Sequence, residues 1–121
     1  MDSDRFVDTV DSFEKAADEF VRATETSPKF VPAHYMLGET WRKMGEFGEA
    51  IRAYNETLKL NPKDSEAYLR IAECNLQLDL LDAARDALNK ALAINPENRE
   101  AAYLKKHLGE MTTPHKPGFE D

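Results

Sequence analysis

Pro28, Pro62 and Pro96 stand 34 residues apart, and each follows a small polar residue, Ser27, Asn61 or Asn95. A fixed period of this length constrains the architecture before any local reading, because each repeat must be one supersecondary unit that buries its apolar face against the next. The chain keeps that register without an insertion. Ala16, Ala50 and Ala84 recur in it, as do Phe20, Tyr54 and Leu88, and Phe13, Phe47 and Leu81.

Between the prolines, apolar residues fall three and four apart, as in Leu37, Trp41 and Met44 and then Ile51, Tyr54 and Leu58. That is helical periodicity, and nothing in the chain alternates as a strand would. Gly45 divides its unit about halfway, so each unit is expected to be two helices joined by a short turn. Asp79 stands where the next unit would repeat that glycine, and aspartate tolerates a left-handed turn better than most residues. The spacing predicts helices over about 4–26, 32–44, 47–60, 65–78, 81–94 and 99–110.

At these residues the chain resembles the tetratricopeptide repeat family. His34, Leu37, Gly38, Trp41, Ala50, Tyr54 and Pro62 follow the family spacing, with His34 where a large aromatic is usual. Tyr68, Ile71, Ala72, Ala84, Leu88 and Pro96 repeat it, with Asn75 departing, and Ala16, Phe20 and Pro28 match the second half of a unit. The resemblance spans roughly residues 11–110. It implies an all-α fold, a right-handed superhelix (solenoid) of antiparallel helix pairs closed by a C-terminal capping helix. The expected division is an N-terminal helix as a partial repeat (1–30), repeats at 31–64 and 65–98, a capping helix at 99–110 and a tail at 111–121.

The pattern has a physical reason that does not depend on the family. Gly38 and Ala72 are small where a first helix must approach its second, and Ala50 and Ala84 are the matching small residues. Tyr54, Leu88 and Phe20 fill the space between helices, while Thr57, Ala91 and Ala23 leave room for the next unit. Lys105 and Lys106 stand 34 residues after Ile71 and Ala72 with no second helix to cover them, so 99–110 reads as a cap with a wet outer face. The tail, with Pro114, Pro117 and Gly118, lacks a helical stripe and is expected to be extended or disordered alone, resting on a neighbouring surface through Phe119.

By the resemblance, stacked first helices line a concave groove for a peptide or partner protein. The groove-facing residues would be Tyr35, Glu39, Arg42, Leu69, Glu73, Leu76, Tyr103 and His107. Tyr35, Leu69 and Tyr103 form an apolar or aromatic row, and Glu39, Glu73 and His107 a polar one, which suits a segment with apolar anchors and some positive charge. Chaperone-binding members of the family clamp a terminal carboxylate with Lys, Asn and Arg. The comparable places here hold Tyr35, Glu39, Arg70, Glu100 and Leu104, so that clamp is not reproduced.

The alternative is a self-assembling structural module, as a homo-oligomer or a piece of a longer array. Phe6, Val10, Phe13, Ala17 and Phe20 alternate at spacings of four and three, a coiled-coil kind of seam. Residues 1–26 carry eight acids and three bases, so two parallel copies would repel. An antiparallel homodimer or a helix donated by another protein fits better, unless a turn near Asp11 folds Phe6 and Val7 back as a stunted cover.

Other classes find little support. A net charge of -7 offers no footprint for a phosphate backbone, so nucleic acid is excluded as a partner. No run of apolar residues suits a signal peptide or a membrane span. Cys74 has no second cysteine, which points to a reducing, cytoplasmic setting and a buried apolar role. His34, His107 and His115 share no ligand spacing and read as surface or rim residues. No metal, no cofactor and no catalytic constellation is expected, and the chain does not read as an enzyme.

Overall fold

The structure is a computed structural model that describes residues 2–108, with backbone alone over 2–10. Among the described residues it contains six α-helices and no strand. The chain falls into two compact units, Met1–Pro62 and Lys63–Asp121.

In the first unit α1 spans Asp2–Thr26, α2 Val31–Lys43 and α3 Phe47–Leu60. The first helix runs unbroken through Asp11, so the turn weighed there does not form. It ends where Ser27 donates to the Ala23 carbonyl and Phe30 to that of Ser27, ahead of a proline in the first turn of α2. Between α2 and α3, Gly45 takes a φ of +82° while the Glu46 amide reaches back to the Trp41 carbonyl over 2.8 Å. This left-handed turn satisfies carbonyls that the helix end leaves open.

Ala17, Leu37 and Ala53, one from each helix, form a buried cluster with Phe20, Val21 and Trp41 packed against it. The two helices come close at Gly38, where a Cβ would stand 2.7 Å from Cε1 of Tyr54. Such a contact is too short for a real side chain, so glycine is what lets the tyrosine ring lie against α2 here. Tyr54, Ala50 and Thr57 are wholly buried.

In the second unit α4 spans Ser65–Gln77, α5 Leu81–Ile94 and α6 Arg99–Lys106. Asp64 caps α4 by accepting from the Ala67 amide at 3.1 Å, and Asn98 caps α6 by accepting from Ala101 at 3.0 Å. Each satisfies one of the free amides of a helix start. The turn of the first unit recurs with aspartate in place of glycine: Asp79 has a φ of 61°, and the Leu80 amide reaches the Asn75 carbonyl at 2.8 Å. Ala72, Cys74, Ala84, Leu88 and Ala91 are fully buried. Ser65 donates to the Ala91 carbonyl at 3.2 Å, fixing the start of α4 to the end of α5.

The last helix spans Arg99–Lys106 with His107 as its C-cap, and residues 109–110 of the expected cap lie outside the described residues. Two expectations change. His34 is buried rather than on the surface or rim, because its imidazole fills the place of the usual aromatic and Nε2 donates to the Pro28 carbonyl at 2.7 Å. Ala17, expected on an open seam, is 2% exposed and belongs to the core of the first unit. The tail, including His115 and Phe119, lies outside the described residues.

Candidate functional site

The first helix of each pair carries the candidate residues. On α2, Glu39 and Arg42 are one turn apart, and Arg42 Nη2 lies 2.7 Å from Glu39 Oε1. The Tyr54 hydroxyl, from α3, donates to the other carboxylate oxygen at 2.6 Å, and Arg42 Nε donates back to that hydroxyl at 3.3 Å. The three groups thus close a ring of hydrogen bonds at the edge of the first unit's core. Burial pushes the Tyr54 phenol above its ordinary range, and the bond to Glu39 adds to this. For Arg42 burial acts downward, but the bonds to Glu39 and Tyr54 outweigh it, and the guanidinium is held more firmly charged than usual. Tyr35 stands half-buried beside this ring, its ring edge-on to that of Tyr54 at 5.6 Å.

The second unit handles the same register differently. Leu76 and Leu88 replace Arg42 and Tyr54, so Glu73 has neither of the donors that serve Glu39. It turns instead to Arg70 one turn earlier, at 2.9 Å. The same guanidinium lies 3.7 Å from Glu66 and 3.9 Å from Glu100 of α6. Burial raises the Glu73 carboxyl above the usual range and the neighbouring Glu100 carboxylate raises it further, against the pull of Arg70. On α6, Tyr103 is 59% exposed, and its ring centroid lies 4.4 Å from that of His107.

Not every expected residue presents itself. Leu69 is fully buried and cannot meet a partner, so the apolar row is reduced to Tyr35 and Tyr103. Leu76 and His107 are half-buried. Sequence reasoning passed over Arg70 and Glu100 except as places lacking a clamp, although the spacing of Glu66, Arg70 and Glu73 already aligns them on one face of α4. On the first helix, Phe13 is half-buried, while the side chains of Phe6 and Val10 lie outside the described residues.

Elsewhere the first unit has an open cleft of about 280 Å³ floored by Leu37, Trp41 and Ala53. Its rim charges are occupied with neighbours, Arg52 with Glu49 at 3.9 Å and Glu56 with Lys59 at 2.9 Å. Among the described residues no group of three His, Cys, Asp or Glu is placed to hold a metal ion. No helix among them is long and apolar enough to cross a membrane.

Known proteins share this helical fold. Anaphase-promoting complex subunit 3 of Dictyostelium discoideum is 31% identical over 74 residues, which is 61% of this chain and 8% of that protein. The chain therefore spans a small part of this curated relative. The crystal structure of MamA superposes with a TM-score of 0.77 at 27% identity, covering 92% of this chain and 72% of that one. A similar fold occurs in the Yersinia enterocolitica type III secretion chaperone SycD in complex with a peptide of the translocator YopD, with a TM-score of 0.70 at 23% identity over 84% of this chain and 77% of that one. The tetratricopeptide repeat model matches residues 35–99, more than half of the 121 residues, and with the helix pairs and their 34-residue register this places the chain in the tetratricopeptide repeat family.

Proposed function

We propose that this chain is a protein-interaction module that binds a peptide or partner protein through the first-helix faces of its units, with no cofactor and no turnover, in a cytoplasmic setting. The observation that carries this reading is the exposed Tyr103 ring, held against His107 and flanked by charged side chains on the same helix face. A large aromatic fixed in place yet open to solvent loses little conformational entropy when a partner covers it. The similar fold of SycD, solved with a YopD peptide, is in keeping with that role. Capture from native lysate by the intact chain and by a Tyr35→Ala, Tyr103→Ala variant tests it. The variant is expected to lose the captured protein while keeping its helical circular dichroism; equal capture by both would overturn the assignment of these faces.

Self-assembly through α1 is a second reading, favoured by one comparison. Ala50, Tyr54 and Thr57 of α3 and Ala84, Leu88 and Ala91 of α5 are fully buried, yet Ala16, Phe20 and Ala23, their counterparts on α1, are half-buried. Against it, the exposed Glu19 occupies the position at which α3 and α5 bury Ala53 and Ala87. A carboxylate there suits water better than a covering helix. Sedimentation of the intact chain and of a Phe6→Glu, Val10→Glu variant decides, since a monomer at every concentration in both removes the homodimer.

A further inference from the structure

We propose that the α4 and α6 face of the second unit receives a basic segment of the partner, a lysine or arginine side chain entering between Glu73 and Glu100 while a neighbouring apolar side chain lies on Tyr103. This rests on the interaction reading above and names the class of segment bound.

Charge complementarity selects the occupant. Glu66, Glu73 and Glu100 all lie within 4 Å of one guanidinium, that of Arg70, so among the described residues three carboxylates share a single cation. The same register of the first unit shows no such excess: Pro32 and Met36 stand for Glu66 and Arg70, and Glu39 is served by Arg42 and the Tyr54 hydroxyl. Leucines at 76 and 88 withdraw those two donors from Glu73. A second cation supplied from outside would restore to the Glu73 and Glu100 pair what the first unit supplies internally, and at the half-buried Glu73 a charge-assisted bond gains strength.

Acidic residues alone would mark only a solvated face. The independent feature is Tyr103, one turn beyond Glu100 on α6, exposed and with its ring centroid 4.4 Å from that of His107 at a tilt of 38°. An aromatic plate one turn from a carboxylate pair accepts the aliphatic stem of a lysine or arginine, or the apolar residue beside it, and repels an acidic segment.

Panning a random peptide display library on the intact chain tests this, followed by anisotropy titration of the selected peptides against three variants. The first is Glu73→Gln, Glu100→Gln; the second is Glu100→Gln alone, which changes an exposed side chain and leaves the fold undisturbed; the third, Glu14→Gln, Glu25→Gln, removes equal charge from α1. Selected peptides are expected to carry lysine or arginine close to a large apolar residue, to lose about tenfold or more in affinity on the first variant, to weaken on the second, and to hold on the third. Peptides without basic enrichment that bind Glu100→Gln as well as the intact chain, yet fail on Tyr35→Ala, Tyr103→Ala, would overturn this inference and leave the interaction reading standing. Binders indifferent to all of these variants, or no binders, would overturn both.

Discussion

Tyr54 donates its phenolic hydrogen to Glu39 Oε2 over 2.6 Å, joining the two helices of the first full pair at the edge of their core. The ring is wholly buried, so the phenol has no route to water that would replace this bond. Tyr54→Phe leaves the packing intact but removes a donor from Glu39 and an acceptor from Arg42. A loss of about 1–3 kcal/mol is expected in urea unfolding, with an unchanged slope. Tyr54→Leu, the residue its counterpart Leu88 supplies, should cost more because the ring volume goes too.

That bond also predicts a response to alkali. The phenol is held above its ordinary range in the folded state, so as pH rises past about 10 the unfolded chain gives up this proton and the folded chain keeps it. Stability contributed by Tyr54 is therefore complete below that pH and is lost as pH rises above it. Denaturation midpoints of the intact chain should fall through that window more steeply than those of Tyr54→Phe; parallel curves would show that the phenol does not carry the linkage.

The helices and their turns were legible because period and breaker agree. Three prolines at one interval end helices, and Gly45 and Asp79, in the same register, both adopt the left-handed turn. The site was less legible. Register tells which face a residue stands on, but not how far its neighbours close over it, which is why Leu69 is buried while Tyr103, in the same row, is 59% exposed. The bond from Tyr54 to Glu39 joins residues 15 apart through a hydroxyl that sequence periodicity treats as part of an apolar side chain. His34 departed from the family pattern in chemistry but not in place, and the Pro28 carbonyl that holds it is set by the fold of the preceding turn.

Gly38 and Tyr54 should behave as one unit under mutation. A Cβ at Gly38 would lie 2.7–3.0 Å from three atoms of the tyrosine ring, so Gly38→Ala is expected to destabilise by about 1–3 kcal/mol, despite the better helix propensity of alanine. The second unit already holds the alternative pair, Ala72 with Leu88, both fully buried. Gly38→Ala combined with Tyr54→Leu should therefore cost less than the two single changes added together, and a double-mutant cycle with no coupling would refute the contact.

The two turns give opposite expectations for the same kind of change. At Gly45, with φ of +82° and open space around the missing Cβ, alanine meets backbone strain alone, and a loss of about 1 kcal/mol is expected in thermal unfolding. At Asp79 the strain is already present, with φ of 61°, so Asp79→Gly should be neutral or stabilising by up to about 1 kcal/mol, the relief being offset by the freer unfolded chain. A clear loss from Asp79→Gly would mean that the carboxylate contributes more than its backbone shape.

Glu73 supplies the acid-side test. Burial and the neighbouring Glu100 carboxylate hold its carboxyl above the usual range, so the folded chain binds this proton more tightly than the unfolded chain does. The sign follows: Glu73 contributes most to stability when protonated, and that contribution is lost as pH rises through the unfolded carboxylate value and on to the folded one. Carbon-detected NMR titration should find Glu73 titrating above the usual carboxylate range. In Glu100→Gln the like charge is gone while Arg70 still lies at 2.9 Å, so the Glu73 midpoint should drop. If that midpoint stays where it is in the intact chain, burial sets it and Glu100 has no part in it.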